Sequence, residues 1–374
     1  MPYPVSDMKL ARRAACFLLK YRYNRSHTKQ ANQVLKVLQR EGGRLDPELV
    51  RVCNSYASDV LGSKAFAPWL QVYAAVAGEF REGWIPDNYY GLIVVPRLKG
   101  VYGSVANRKA LARRLFSSTA FPDIAYQVNG AYFDVNGSPI SRGHLAQALF
   151  RESEQVVFKA EGSSQGRSVL VLRAQELNVE QLDRLGNGVF QTYVVQHPFF
   201  DKFASNSVAT IRVTTAIDDS GTPGVRASYL RLARQADTHV RSASHVRVSV
   251  NPRTGRLDDH GYLATWEKID RHPDSGERFE GAVIPNFEHC LETIVELHGR
   301  LPFARVVGWD AIVDRDGAVQ IMEWNGGHND IKFSEATQGP CFSDLGWERL
   351  FVTAAPASRE WVEAARHDLC RGAR

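Results

Sequence analysis

Long apolar runs are missing from this 374-residue chain; none approaches the roughly 18 residues that a membrane-spanning helix needs. Cysteine is scarce and scattered. Cys16, Cys53, Cys290, Cys341 and Cys370 form an odd set without a CxxC pair, which argues against a disulfide scaffold or zinc site and for a reducing compartment, the cytoplasm. No small-residue cleavage site follows an apolar stretch near the start, so a secretory leader is not expected. GxxxxGK[ST] and GxGxxG are absent, which removes the Walker A and Rossmann routes to nucleotide binding. No Ser-His-Asp or Cys-His nucleophile can be argued. Nor does interleaving of basic and aromatic residues mark a nucleic-acid-binding module, so no nucleic-acid partner is expected.

What is present is the make-up of an ordinary globular protein. With 44% hydrophobic and 23% charged residues, the chain fits neither the low-complexity nor the disordered class. Its length suggests two or three packed subdomains rather than one core. The net charge of +5 is unevenly placed. Residues 1–50 hold ten Lys and Arg against four Asp and Glu, a local +6, so everything after position 50 sums to −1.

The first 80 residues read as helices. Between Lys9 and Arg25, Leu10, Ala14, Phe17, Leu18 and Tyr21 recur at helical spacing, with Lys9, Arg12, Arg13 and Lys20 on the other face. The expected role of that basic stripe is the solvated face of a helix packed on the body; attachment to an anionic lipid surface or an acidic glycan are its alternatives. Further helices are expected near 27–40, 46–62 and 65–82, the second opened by Asp46-Pro47. Gly83-Trp84-Ile85-Pro86 breaks the pattern. Beyond it β-branched runs alternate with turns: a buried strand at 92–95, a hairpin across Asn129-Gly130, strands at 156–158 and 169–172 around a glycine-rich loop, and others at 193–195, 210–216 and 246–250. Helices first and antiparallel hairpins after predict an α+β protein. The expected segments are 1–83, 84–190, 191–350 and a helical tail at 351–374.

The segment from Val307 to Asn325 is the most informative. Asp316-Gly317 is the preferred centre of a type I′ turn. With that turn, residues pair where their numbers sum to 633, and Asp310 falls opposite Glu323. Asn325 then lies on the same face, because strand side chains alternate with period two. Two carboxylates about 5 Å apart repel by roughly 3 kcal/mol at an effective dielectric of ~20. Mg²⁺ would turn that repulsion into binding, since a hard cation prefers carboxylate and amide oxygens; a solvated hairpin face, with one acid exposed and the pairing slipped by a residue, is the alternative.

Asp, twelve residues, Glu, one residue, Asn is the metal-ligand spacing of the ATP-grasp superfamily, which this chain resembles. Gln196-His197-Pro198, the run from Ser207 to Arg212, His272-Pro273-Asp274 and Gly308-Trp309-Asp310 resemble, in that order, a narrower group, the sugar-transfer-associated ATP-grasp proteins. The resemblance covers about residues 84–345 and implies an ATP-grasp fold, two α+β subdomains gripping ATP, with an N-terminal helical region. It implies Mg²⁺ on Asp310, Glu323 and Asn325, and ATP phosphates on Lys109 and Lys159. It also implies a phosphate-covering loop containing Gly162, Ser163, Ser164 and Gly166, and adenine contacts at a hinge of Gln191, Val194 and Val195. The acidic pair usual before that hinge is replaced here by Gln191-Thr192, and Ser244-His245 stand where a glycine pair is expected. Arg212, and secondarily Arg231, match strand arginines assigned to phosphate or an acyl-phosphate; His272 becomes a substrate-side candidate. The implied reaction activates a carboxylate as an acyl-phosphate for capture by an amine, on an amino acid or sugar acid. A phosphotransferase acting on a hydroxyl, or a non-catalytic nucleotide-binding scaffold, are the alternatives.

Overall fold

The computed structural model describes residues 5–42, 45–161, 169–205, 207–234 and 244–352, with side chains from Ala14 onward. The chain divides into two compact units, one of residues 1–102, 265–268 and 327–374, the other of residues 103–264 and 269–326. The tail helix expected after 356 lies outside the described residues.

The first unit is helical. One helix, α1 (Val5–Arg40), covers the two segments expected at 9–25 and 27–40. It is followed by α2 (Pro47–Asp59) and α3 (Ala67–Ala77). The Asp46 side chain accepts the N–H of Glu48, with Pro47 in the first turn, as the sequence pattern predicts. Residues 92–95 are not a strand. They lie in a π-helical turn, Tyr90–Val94, that runs into the helix Val95–Leu98. A short apolar run has no periodicity with which to separate a buried strand from a buried helix; here the helical turn Asp87–Tyr89 leads in, and Pro96 fits the first turn of the next helix. Aromatic side chains dominate this core, with Trp69, Tyr73, Trp84, Tyr89 and Tyr90 fully buried.

The second unit holds two antiparallel sheets. In the first, β1 (Asp123–Val128), β2 (Ala131–Asp134), β3 (Pro139–Ile140), β4 (Gln155–Ala160), β5 (Val169–Arg173) and β6 (Gly188–Thr192) take the order β3-β2-β1-β6-β4-β5. Asn129 and Gly130 both have positive φ, 52° and 79°, as the type I′ hairpin between β1 and β2 requires. The second sheet contains β7 (Thr210–Ile217), β8 (Pro223–Leu232), β9 (Val246–Val250), β10 (Leu257–Tyr262), the short β11 (Lys268–Ile269), β12 (Val306–Val313) and β13 (Val319–Asn325), in the order β11-β10-β9-β8-β7-β12-β13. Every residue of β12 is buried, and the helix Phe287–Gly299 packs on this sheet through Phe287, Cys290, Ile294 and Leu297. A strand covered on both faces and flanked by β7 and β13 is a rigid place from which to aim a side chain. The segment 193–195, expected as a strand, is not one: β6 ends at Thr192.

Candidate active site

The β12–β13 hairpin reaches its pairing by an unexpected route. Asp314 Oδ1 accepts the N–H groups of Asp316 (3.0 Å) and Ala318 (2.8 Å), and Gly317 takes a φ of 83°. Three residues, 315–317, therefore make the turn, and the first ladder pairs are Val313 with Val319 and Ala311 with Ile321. Continued unbroken, that register would set Asp310 against Met322. Instead Met322 bulges out, and the register shift restores Asp310 opposite Glu323. The expected pairing is present because a longer turn and a bulge cancel.

The charges around this pair come from four other strands and turns. On β7, Arg212 lies beside Asp310 in the ladder and grips it bidentately, Nε to Oδ1 at 2.6 Å and Nη2 to Oδ2 at 2.9 Å. On β8, Arg231 Nη1 approaches Asp310 Oδ1 at 3.5 Å. Lys109, in a 3₁₀ turn, places Nζ 2.6 Å from Glu323 Oε1. Lys159, near the end of β4, donates to the carbonyl of the bulged Met322 at 3.3 Å. Asn325 Nδ2 is 3.3 Å from the Gly308 carbonyl and 3.5 Å from Asp310 Oδ2. Four cations thus surround two carboxylates. The chain supplies countercharges of its own to both carboxylates.

Burial works on each of these groups, and its neighbours decide the outcome. It would raise the Asp310 carboxyl, but Arg212 and Arg231 outweigh it and hold the group below its ordinary value. It opposes the Arg212 charge, which Asp310 restores and strengthens. For Lys159 burial wins, aided by Lys109, and the ammonium is lowered to about 8 against the pull of Glu323, Asp123 and Asp310.

Among the described residues no three His, Cys, Asp or Glu side chains gather as a metal site. The donors here are two carboxylates and an amide, all bearing hard oxygens, with the Asn325 N–H₂ facing the Gly308 carbonyl and Asp310 Oδ2. Such a set suits Mg²⁺, which keeps much of its shell for water and phosphate oxygens. The expected hinge offers a related fit. Gln191 is 3% exposed, its Nε2 donates to Asp123 Oδ1 at 2.8 Å, and its Oε1 is buried without a partner among the described residues. A buried orphan acceptor is costly unless a ligand's donor fills it. Val194 is buried and Val195 exposed, and the Val195 carbonyl already accepts the Arg315 N–H at 2.9 Å. Gly162, Ser163, Ser164 and Gly166 lie outside the described residues.

Residues 140–343, more than half of the chain, match the family described as sugar-transfer-associated ATP-grasp. The chain belongs to this family. No curated protein compared with it matches by sequence. Among solved structures it is similar to the biotin carboxylase domain of 2-oxoglutarate carboxylase from Hydrogenobacter thermophilus, a complex with MgADP, ADP and bicarbonate (11% identity, 83% of this chain and 68% of that one, TM-score 0.44). Biotin carboxylase from Campylobacter jejuni, complexed with β-γ-ATP, gives 13% identity over 88% of this chain and 70% of that one, with a TM-score of 0.44. N5-carboxyaminoimidazole ribonucleotide synthetase from Thermotoga maritima gives 10%, 78%, 63% and 0.37.

Within this ATP-grasp chain, most of the words that carried the resemblance are scaffolding. Gln196 joins the N–H of Ala209 (2.7 Å), Asp201 and the Ala204 carbonyl, so it ties two loops together. His197 Nδ1 caps the turn Pro198–Asp201 by accepting the Phe199 N–H. Trp309 is fully buried and donates to Thr215. His272, a substrate-side candidate from sequence, is fully buried with Nε2 3.1 Å from the Ala233 carbonyl and Nδ1 facing the N–H groups of Asp274 and Ser275. Burial lowers its basicity. It pins its own loop, while Asp274 holds Arg234 bidentately. Two contributors escaped the sequence reading. Glu161 accepts from the Ala110 N–H (3.3 Å) and Arg108 (3.5 Å), fixing the turn that carries Lys109 to the end of the strand that carries Lys159. Asp123 anchors Gln191, its carboxyl raised by burial. Neither residue sits in a pattern that distinguishes it from a surface acid.

Proposed function

We propose that the protein is a Mg-ATP-dependent ligase that activates a carboxylate as an acyl-phosphate and passes the acyl group to an amine, with an amino acid or sugar acid among its substrates. The observation that supports it most is the Asp310–Glu323 pair flanked by Lys109 and Lys159 in a chain of the ATP-grasp family. A divalent cation held by Asp310, Glu323 and Asn325 would supply charge neutralisation for the phosphate oxygens. The chain's own residues do the rest by position and electrostatics. Lys109 and Lys159 meet the phosphate tail, Lys109 leaving Glu323 as it does so. Arg212, locked onto Asp310, is a positioning residue that keeps this carboxylate ionised and aimed. The orphan Oε1 of Gln191 suits the exocyclic amine of adenine.

In the reaction, a substrate carboxylate oxygen forms a bond to the γ-phosphorus while the bond to the ADP oxygen breaks. The amine nitrogen then attacks the acyl carbon, inorganic phosphate leaves, and one proton is released. The test is incubation with Mg-ATP and pools of carboxylates and amines, reading ADP, phosphate and product mass. One phosphate per ADP, with a product weighing the sum of both substrates less water, is the expected result. ADP formed without phosphate, together with a phosphate ester, would instead identify a phosphotransferase and reject the ligase.

A further inference from the structure

Helix α1 carries two apolar stripes, and among the described residues only one of them is packed. From His27 onward, His27, Ala31, Val34 and Leu38 are buried at intervals of three and four residues, the face on which α1 packs against α3. Upstream, Phe17, Leu18 and Tyr21 are 70%, 58% and 56% exposed. At ~100° per residue the upstream stripe lies roughly a third of a turn around the axis from the buried one. The line of the packed face, extended upstream, passes through the positions of Arg13 and Lys20 instead. One straight helix cannot press both stripes onto the same surface. Phe17, Leu18 and Tyr21 are therefore left uncovered, whereas Asn24 further along accepts the Asn88 amide at 2.9 Å.

The charge around the uncovered stripe has one sign. Between Lys9 and Arg40 stand nine Lys and Arg and no Asp or Glu; six of them, Lys9, Arg12, Arg13, Lys20, Arg22 and Arg25, fall by Arg25. A second copy of the helix would bring like charges together. A soluble polyanion would satisfy the cations but offers no apolar interior for Phe17 and Leu18. An anionic bilayer satisfies both, with phosphates at the headgroup level and acyl chains a few ångströms below.

We propose that residues 9–25 of α1 dock on an anionic lipid bilayer, lying in its plane with Phe17, Leu18 and Tyr21 inserted between the headgroups. This rests on the helix alone and is independent of the ligase proposal. The test uses the full chain and large vesicles, either of neutral phosphatidylcholine or with about a third of the lipid replaced by phosphatidylglycerol, at low and high salt. Co-sedimentation is expected only with the anionic vesicles and is weakened by salt. Phe17→Ser with Leu18→Ser is expected to reduce partitioning about tenfold or more, and Arg22→Glu with Arg25→Glu to do so comparably. Neither double variant should move the melting temperature, because the stripe is not part of the core. The proposal is overturned by absence of binding at low salt, by equal binding to neutral vesicles, or by the serine variant binding like the parent. A lowered melting temperature of the serine variant would also overturn it, by showing that the stripe is packed on the chain.

Discussion

Buried ionisable groups behave in opposite ways in the core of the helical unit and at Asp310 of the candidate site. In the helical unit, His27 accepts the Trp69 indole N–H and is pushed by burial down to about 4, despite Asp87 nearby. Glu335, fully buried against the N–H groups of Ile85 and Cys341, is pushed by burial up to about 8. Both are neutral near pH 7. In the strand-rich unit, Asp310 is only 7% exposed, yet it is held ionised by arginines on the neighbouring strands. Burial is common to all three; a paired opposite charge is what separates them. The core of the helical unit neutralises its polar groups, whereas the Asp310 site keeps its charges by pairing them.

The comparison is broken most severely by removing one member of a buried pair. Asp310→Ala takes the bidentate carboxylate from Arg212 and should cost about 3–5 kcal/mol of stability, read as a lower urea midpoint, and abolish ATP turnover. A midpoint equal to the parent's would mean that pairing does not sustain the strand-rich unit. Glu323→Gln separates chemistry from folding. The Glu323 side chain is 43% exposed, so unfolding should be nearly unchanged while ADP release falls about 100-fold or more. Retained turnover in that variant would remove Glu323 from the site.

A pH series sharpens the other half. For His27 the folded value lies below 6.5, so between about 4 and 6.5 the unfolded chain holds more protons and stability rises with pH, by at most about 1.4 kcal/mol per unit. For Glu335 the folded value lies above 4.5, so between about 4.5 and 8 the folded chain holds more protons and stability falls with pH at a similar limiting slope. The two oppose each other between 4.5 and 6.5. Replacing His27 by Gln, which can still accept from Trp69, removes the rising contribution alone. Relative to the parent, its unfolding free energy should then lose ground steadily as pH goes from 4.5 to 6.5 and stay level above. Parallel curves would show that His27 does not enter the core neutral.

The hairpin was legible from its sequence because Asp-Gly is strong turn chemistry and strands alternate, but the path was not. The turn is one residue longer than Asp316-Gly317 suggests, since Asp314 caps it with its own side chain, and nothing in Met322 announces a bulge. Helices in the first 80 residues showed their period, whereas 92–95 did not, because a run apolar on every side has no face to reveal. The spacing of Asp310 and Glu323 about the turn indicated that they pair. It could not indicate that Arg212 faces Asp310, since that contact depends on how β7 pairs with β12, a register between segments nearly 100 positions apart. Glu161 and Asp123 were invisible for the same reason, and His272 misled because a loop histidine with polar neighbours reads alike whether it binds a ligand or a carbonyl.

Lys159 stands between the two regimes and gives the smallest and most discriminating effect. Burial and Lys109 lower it to about 8 while three carboxylates pull the other way, so the ligand-free protein should lose this charge as pH rises through about 8. A triphosphate beside Nζ favours the ammonium form. Binding of Mg-ATP should therefore take up about half a proton at pH 8 and almost none at pH 6.5, where the lysine is already charged. Calorimetry in two buffers of different ionisation enthalpy reads this number directly. Lys159→Arg keeps its charge at both values, so its proton uptake should vanish while affinity at pH 6.5 stays within about tenfold. If the parent protein takes up no proton at pH 8, Lys159 is as firmly charged as Arg212, and burial nowhere prevails among the cations of the site.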